Sequence, residues 1–243
     1  SFNYIHHGKI DLAYQTSKEA LQMAKESGDI YIKGIGCSSH GVACYCKGLF
    51  DEAEDTLLQA LSFCEKAAQD GWGPAAAGFL GHVYFDLGEY EKAQEYYEKG
   101  ISILERTGIY PFWSKMWKVS MARSKVLTND QDIKLTEIFQ YYENINTKAY
   151  KGWAARHVGE ILLNIDDQHM PEAEDWVKKA IEVDKRNCTM WSLGGGYAFY
   201  AELFKRKGDY FKAKENLNKA IEIFNEYGAV GWAEKYEKEL AEL

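Results

Sequence analysis

The sequence has 243 residues, of which 46% are hydrophobic, 27% are charged and only three are proline, a composition typical of a folded chain rather than a disordered one. The formal net charge of −8 disfavours a general nucleic-acid binder. The longest mostly apolar run, residues 75–85, is shorter than the roughly 20 residues that cross a bilayer. Five cysteines without a C-x-x-C pair, together with an N-terminus that lacks a secretory leader, favour reduced thiols and a cytoplasmic location.

Glycines recur along the chain at multiples of forty residues, from Gly8 through Gly48 and Gly88 to Gly208. An alanine follows each of them five residues later, Ala173 lies in the same register, and Ile133 occupies the remaining position. A small residue followed by a large apolar one continues the series in most units, as Ala20-Leu21, Ala60-Leu61, Gly100-Ile101, Gln140-Tyr141, Ala180-Ile181 and Ala220-Ile221. Since small side chains at fixed positions let two helices approach closely, the chain is predicted to be a repeat array.

The unit around residue 90 shows the predicted architecture most clearly. Residues 81–87 end one helix, 88–90 form a turn, and a second helix over 91–106 places apolar or small residues every three or four positions. No segment alternates with a period of two, as a half-buried strand would. The fold is therefore predicted to be all-α, built from antiparallel helix pairs.

The residues of this unit carry a resemblance to a known family. Leu80-Gly81-x-x-Tyr84 followed by Ala93-x-x-x-Tyr97 resembles the tetratricopeptide repeat (TPR) signature, and looser copies occur over 41–57 and 200–217. The resemblance implies a right-handed superhelical α-solenoid. The units are about 40 residues long instead of 34, which is similar to the long repeats of kinesin light chains and bacterial signalling proteins.

The predicted units form a single array over 1–243: a partial repeat at 1–28, then 29–69, 70–108, 109–148, 149–187 and 188–227. A last helix over 228–243 carries Trp232 and Tyr236 on one side and is predicted to cap the array. Only residues 1–5 occupy the place of the first helix of the first unit, so we expect the chain to be the C-terminal part of a longer protein. The ending, residues 227–240, resembles the tail of bacterial multidomain proteins in which a cyclase or kinase domain and an AAA-type ATPase precede a long TPR array.

Two groups of residues suggest a ligand site but have a simpler structural interpretation. Cys37, His40 and Cys44 lie along one helical face, as zinc ligands can, yet the repeat places them in the seam between helices, where a free cysteine packs as a small hydrophobe. The glycines of 34–41 and 194–196 follow no β-strand, which a dinucleotide-binding fingerprint requires. We therefore expect neither a metal nor a cofactor.

Polar residues at repeat positions offer weak catalytic candidates. His157, Glu160 and Asn164 occupy seam positions by strict counting, but a shift of two residues puts apolar side chains there and turns Glu160 to the open face. His82 and Asp86 lie four residues apart on one helix, and a solvated pair is the simplest interpretation. The chain is predicted not to be an enzyme.

The first helix of each TPR pair lines a concave surface that binds other proteins, so the resemblance implies a set of groove residues. They are Tyr45, His82, Phe85, Lys115, Lys118, Lys125, Trp153, Arg156, Glu160, Glu202 and Lys205. No asparagine occupies these positions, so the carboxylate clamp of chaperone-binding TPRs is not reproduced. An aromatic front followed by a basic middle favours a partner segment with apolar anchors and acidic residues. The alternative that the lysines only solubilise the surface is equally open.

The sequence therefore predicts a noncatalytic protein–protein interaction scaffold from a signalling or regulatory protein, which binds a protein or peptide segment or the upstream domains of its own polypeptide. The alternative is a peptide-sensing receptor that resembles quorum-sensing regulators. Nucleic acid and membrane are not expected as partners. A homo-oligomer formed through the truncated N-terminal end is a further hypothesis, because the missing helix would leave apolar surface uncovered.

Overall fold

The computed structural model describes residues 4–5, 8–68, 70–130 and 132–243, and residues 1–3 of the predicted truncated front lie outside them. Within the described ranges the chain contains no β-strand, and no helix is long and apolar enough to cross a membrane. The predicted all-α fold is confirmed. The α-helices are α1 Ile10–Ser27, α2 Ile30–Lys47, α3 Phe50–Lys66, α4 Gly73–Asp86, α5 Tyr90–Thr107, α6 Pro111–Leu127, α7 Leu135–Glu143, α8 Lys148–Ile165, α9 Met170–Asn187, α10 Met190–Arg206, α11 Tyr210–Glu226 and α12 Val230–Ala241, with a 3-10 turn at Asp167–His169.

Consecutive helices pack on one another along the whole array. The chain reverses between α2 and α3 at Gly48 and between α4 and α5 at Gly88, whose φ angles of +85° and +82° are in the left-handed region that glycine adopts without a Cβ clash. The forty-residue spacing of glycines therefore marks the ends of helices. The repeated alanines, Ala13, Ala53, Ala93, Ala173 and Ala213, are fully buried.

The helices form an inner and an outer layer. Every residue from Gly73 to Tyr84 in α4 is buried, so this helix is covered on all sides. In the following helix, α5, burial is confined to one stripe, namely Ala93, Tyr97, Gly100, Ile101 and Leu104. This amphipathic pattern places α5 on the outside and α4 within the array.

The fourth unit departs from the forty-residue register. Counting in steps of forty residues places Ile133, Gln140 and Tyr141 in the seam between helices, but Gln140 is exposed and the other two are only partly buried. The short helix α7 instead buries Ile138 and Tyr142. Because α7 has only nine residues and begins at Leu135, its apolar stripe cannot follow the register of the longer helices.

The two ends of the array meet, so that the described chain closes into a ring. The Trp232 indole Nε1–H of α12 donates to the Tyr45 carbonyl of α2 at 2.9 Å. The backbone N–H of Ile10 donates to the Tyr227 carbonyl at 3.3 Å. A Cβ on Gly231 would lie 2.4 Å from the Gly48 carbonyl oxygen, so the two backbones are in direct contact. This closure determines which part of the inner face a partner can reach.

Candidate functional site

Aromatic side chains fill the centre of the ring. The Tyr45 ring makes edge contacts with Trp191 and Trp232, both at 5.7 Å between centroids, and Trp153 contacts Trp191 at 5.1 Å. Beside them lies an apolar cavity of about 30 Å³, which has room for about one water molecule. The inner face is therefore filled at this level.

Two histidines lie among these aromatic side chains and are fully buried. His82 Nδ1 is 2.8 Å from the Tyr97 hydroxyl, and His157 Nδ1 is 3.1 Å from the Ser120 hydroxyl. Burial lowers the pKa of both imidazoles well below the usual value, and the nearby arginine charges lower it further. The predicted solvated pair of His82 with Asp86 is wrong, because His82 is buried and Asp86 accepts a hydrogen bond from the Tyr45 hydroxyl at 2.9 Å.

A cleft of about 380 Å³ opens between α4, α6, α8, α10 and α12. Its walls combine aromatic and aliphatic surface, such as Phe85, Phe199 and Tyr236, with many charged groups. The charged residues are Asp86, Arg123, Arg156, Glu160, Glu202, Lys205, Arg206, Lys235 and Glu239. The five basic residues outnumber the four acidic ones, so the cleft is slightly positive in a chain whose net charge is −8.

Two arginines share one carboxylate in this cleft. Arg123 Nη1 donates to Glu160 Oε2 at 2.7 Å, and Arg156 Nη1 donates to Glu160 Oε1 at 3.0 Å. The Arg123 guanidinium also lies 3.4 Å from the centroid of the Phe85 ring. Burial opposes the charge on Arg123, but the Glu160 carboxylate holds its pKa above the ordinary value. One unit of positive charge therefore remains uncompensated within this trio.

The same arginines carry hydrogen-bond donors without acceptors. Arg123 Nε and Nη2 and Arg156 Nε are buried, and none of them makes a well-formed hydrogen bond within the described part of the chain, although the Tyr97 hydroxyl lies close to the Arg123 guanidinium. Buried donors of this kind are rare, since each one costs about 1–3 kcal/mol when unpaired. Guanidinium groups match carboxylate and phosphate oxygens in geometry. The arrangement is suited to binding an anionic group.

The cleft brings together only some of the predicted groove residues. Phe85, Arg156, Glu160, Glu202 and Lys205 line it. Tyr45, His82 and Trp153 are at most 4% exposed, so the expectation that they face a partner is wrong. Aromatic rings of the neighbouring inner helices cover them, and Trp232 of α12 packs on Tyr45.

The three predicted lysines also lie outside the cleft. Lys118 and Lys125 line a separate pocket between α6 and α7, where Lys118 pairs with Glu105 at 2.5 Å and Lys125 pairs with Asp130 at 3.2 Å. Lys115 donates to the Asn144 carbonyl at 3.5 Å. The expectation of a basic stripe on the groove is therefore wrong, because these side chains extend from α6 toward the neighbouring outer helix and loops.

Arg123 is the important residue that the sequence analysis missed. Counting in steps of forty from Arg123 gives Ala43, Val83, Leu163 and Leu203, all of which are apolar and buried. A single charged residue in an apolar column is the signal that marks this position.

Cys37 and Cys44 of α2 are at most 1% exposed, as the predicted position in the seam between helices requires. Burial raises the pKa of both thiols, so they are protonated in the isolated chain. His40 is also buried, but its ring hydrogen-bonds with the neighbouring helices α1 and α3.

Comparison with known proteins gives matches to one family. The tetratricopeptide repeat family matches residues 37–106 and, in a second form, residues 195–227. A TPR repeat-containing protein of Methanocaldococcus jannaschii is 24% identical over 229 residues. The match covers 90% of this chain but 36% of the relative, so the chain spans about a third of the length of the curated relative that it matches.

Solved structures share the fold at low sequence identity. The apo form of RapI superposes with a TM-score of 0.72 and 13% identity, covering 92% of this chain and 80% of that one. BtubC from P. vanneervenii superposes with a TM-score of 0.53 and 16% identity, covering 88% of this chain and 90% of that one. Kinesin light chain TPR-like repeats from Podosopora anserina superpose with a TM-score of 0.51 and 13% identity, covering 76% of this chain and 91% of that one. These likenesses show a TPR-like solenoid.

Proposed function

From the premise that this chain carries tetratricopeptide repeats, we propose that it is a noncatalytic interaction module that binds an acidic segment of another polypeptide in the charged cleft. TPR arrays are binding surfaces, and the families and folds that match this chain are generally without catalytic activity. The binding site in this proposal is the cleft that Arg123, Arg156 and Glu160 form, not the whole inner face of the array.

The observation that carries the proposal is the set of unpaired donors on Arg123 and Arg156. A carboxylate from a partner would accept hydrogen bonds from these groups. It would also compensate the one positive charge of the two arginines that the Glu160 carboxylate does not balance. The apolar walls beside them, Phe85 and Phe199, would contact an apolar neighbour of that acidic residue. This matches the partner chemistry that the sequence predicts, with the arginines in place of the lysines.

The size of the cleft favours a short segment. A volume of about 380 Å³ lies at the lower end of the range for ligand pockets, about 300–1,000 Å³. A helix with its side chains is about 10–12 Å wide and would need the inner face that the aromatic rings occupy. We propose an extended stretch of a few residues as the occupant.

A receptor for a free short peptide is the second candidate. The closed ring and the small cleft favour it, because they suit a short ligand better than a folded protein surface. In either case the module would regulate domains that lie elsewhere in the same polypeptide or in a partner. This regulatory role is part of the proposal.

Binding to an array of immobilised short peptides, with and without acidic residues, tests the proposal. The wild-type chain is expected to bind acidic peptides, and Arg156→Gln is expected to weaken that binding tenfold or more, since losing one partner of a buried charge pair costs about 2–5 kcal/mol. Lys118→Gln is the matched control, because it removes a positive charge outside the cleft and should leave binding unchanged. Equal binding by wild type and Arg156→Gln, or a loss only in Lys118→Gln, would contradict the proposal.

A further inference from the structure

A second cluster of chemically active side chains lies away from the cleft, where α1, α2 and α3 meet. His40 and Cys44 are one turn apart on α2, and Glu52 lies in the first turn of α3. One imidazole nitrogen, the thiol sulfur and one carboxylate oxygen all lie within 4.8 Å of one another. His40 Nε2 and Glu52 Oε1 are 3.2 Å apart.

We propose that His40, Cys44 and Glu52 bind one zinc ion. Imidazole, thiolate and carboxylate are the ligands that zinc uses in proteins, and three protein ligands leave a fourth tetrahedral position for water. Ligand atoms around tetrahedral zinc are about 3.5 Å apart, given metal–ligand bonds of about 2.0–2.3 Å. The 3.2 Å between His40 Nε2 and Glu52 Oε1 is close to this spacing, and the Cys44 sulfur lies within 4.8 Å of the other ligand atoms.

The hydrogen bonds around the cluster orient two of the three ligands. Ser17 Oγ donates to the Tyr14 carbonyl at 2.9 Å and lies 3.0 Å from His40 Nδ1, so its oxygen can accept from Nδ1 in the tautomer that protonates this nitrogen. In this tautomer Nε2 carries the lone pair that a metal requires. The Tyr14 hydroxyl donates to Glu52 Oε2 at 3.1 Å and fixes the carboxylate. Partners of this kind are a regular feature of protein metal sites.

Without a metal, His40 Nε2–H can donate to Glu52 Oε1 at 3.2 Å, so zinc binding would move the ring proton to Nδ1, beside Ser17 Oγ. Zinc binding would release the Cys44 thiol proton to solvent, and the charge of the ion would then equal the combined charge of thiolate and carboxylate. The ion and its ligands would therefore carry no net charge. Lys18 and Lys47, which lie near the Tyr14 ring, would face a neutral site.

The cluster has a route to solvent on one side only. The Glu52 side chain is 40% exposed, whereas that of His40 is 3% exposed. An ion would therefore enter past Glu52, and the water ligand would lie on the same side. Neither Arg123 nor Arg156 belongs to this cluster, so the zinc site and the proposed peptide site succeed or fail separately.

Metal titration of the full chain, after dialysis against a chelator, tests the assignment. Zn²⁺ binding is measured by calorimetry, and Co²⁺ is used as a spectroscopic substitute whose thiolate charge-transfer band reports a sulfur ligand. Cys44→Ser and Glu52→Gln remove one ligand each, and Glu52→Gln alters a side chain that is 40% exposed and keeps its shape. Cys37→Ser is the matched control, since it lies two turns away on the same helix, about 10 Å along its axis.

The expected result is one equivalent of bound metal, a thiolate–cobalt band that Cys44→Ser abolishes and Cys37→Ser retains, and an affinity that Glu52→Gln lowers by roughly tenfold or more. Zn²⁺ should also raise the thermal midpoint of the wild-type chain. Absence of stoichiometric binding in the wild type, or a band that persists in Cys44→Ser, would overturn the assignment.

Discussion

Trp232 and Tyr45 are 187 positions apart in the chain, yet the indole of one donates to the backbone carbonyl of the other at 2.9 Å and their rings pack edge to face. This contact joins α12 to α2 and closes the array. It buries the aromatic inner face and leaves the charged cleft as the accessible part of the inner surface.

Replacing Trp232 tests how strongly this contact holds the ring closed. Trp232→Ala is expected to destabilise the chain by about 3–5 kcal/mol, because it removes a buried ring. Trp232→Phe keeps most of the packing and should cost only about 1 kcal/mol for the lost hydrogen bond. Urea unfolding followed by circular dichroism measures both. A cost below 1 kcal/mol for the alanine variant would show that α12 does not hold the ring.

The backbone contact between Gly48 and Gly231 can be tested with two alanine substitutions. Gly48→Ala would place a Cβ 2.4 Å from the Trp232 backbone nitrogen, whereas Gly88→Ala, at nearly the same positive φ, would meet nothing within 4 Å. In both variants the left-handed conformation of the alanine lowers the free energy of unfolding by about 1–2 kcal/mol. We expect Gly48→Ala to lose at least about 2 kcal/mol more. Equal unfolding free energies for the two variants would contradict a closed ring.

Asp184 predicts a specific pH dependence of stability. Burial raises its pKa to about 6, although the Thr189 and Ser192 hydroxyls donate to it. Since the unfolded carboxyl has a pKa of about 3.9, the folded state binds more protons between about pH 4 and pH 6. The contribution of Asp184 to the free energy of unfolding therefore falls by about 2–3 kcal/mol as the pH rises through this range.

Asp184→Asn should remove this dependence. In urea unfolding, the stability of the variant relative to wild type should be greater at pH 7 than at pH 4.5, because only the wild-type chain loses stability between these values. The same difference at both values would show that the carboxylate is not protonated in the folded chain at low pH.

Glu160 is expected to be structurally important as well as part of the cleft. Glu160→Gln leaves the Arg123 and Arg156 guanidinium groups buried without a counter-charge, so it should cost about 3–5 kcal/mol. Glu215→Gln breaks the exposed pair with Lys219 and should change stability by less than about 1 kcal/mol. The difference between the two variants in urea unfolding measures the buried pair. Similar small effects for both would mean that the cleft is open to water.

The repeat pattern was sufficient to predict the helices and most of the seam. The alanines from Ala13 to Ala213 are fully buried, and Gly48 and Gly88 have the turn conformation that their spacing implied. These features depend on contacts within a unit or between neighbours, which periodicity records directly. The register failed in α7, since a helix that is half as long need not keep the same spacing.

The site was harder to predict because it depends on contacts between distant units. Trp232 closes the ring by packing on Tyr45, and no sequence feature within either unit indicates this contact. Similarly, Glu52 approaches His40 from the next helix, whereas helical spacing relates His40 only to residues of its own helix, such as Cys37 and Cys44. Arg123 was detectable as the single charged residue of its column.

Hydrogen exchange of the Trp232 indole proton, observed by NMR in the native chain, tests the central claim most directly, because this proton is donated to Tyr45 only when the ring is closed. We predict that it exchanges as slowly as the backbone amides of α10, with the same dependence on urea, because both require global unfolding. Rapid exchange of the indole proton while the α10 amides stay protected would show an open array and contradict the assignment of the cleft as the accessible binding face.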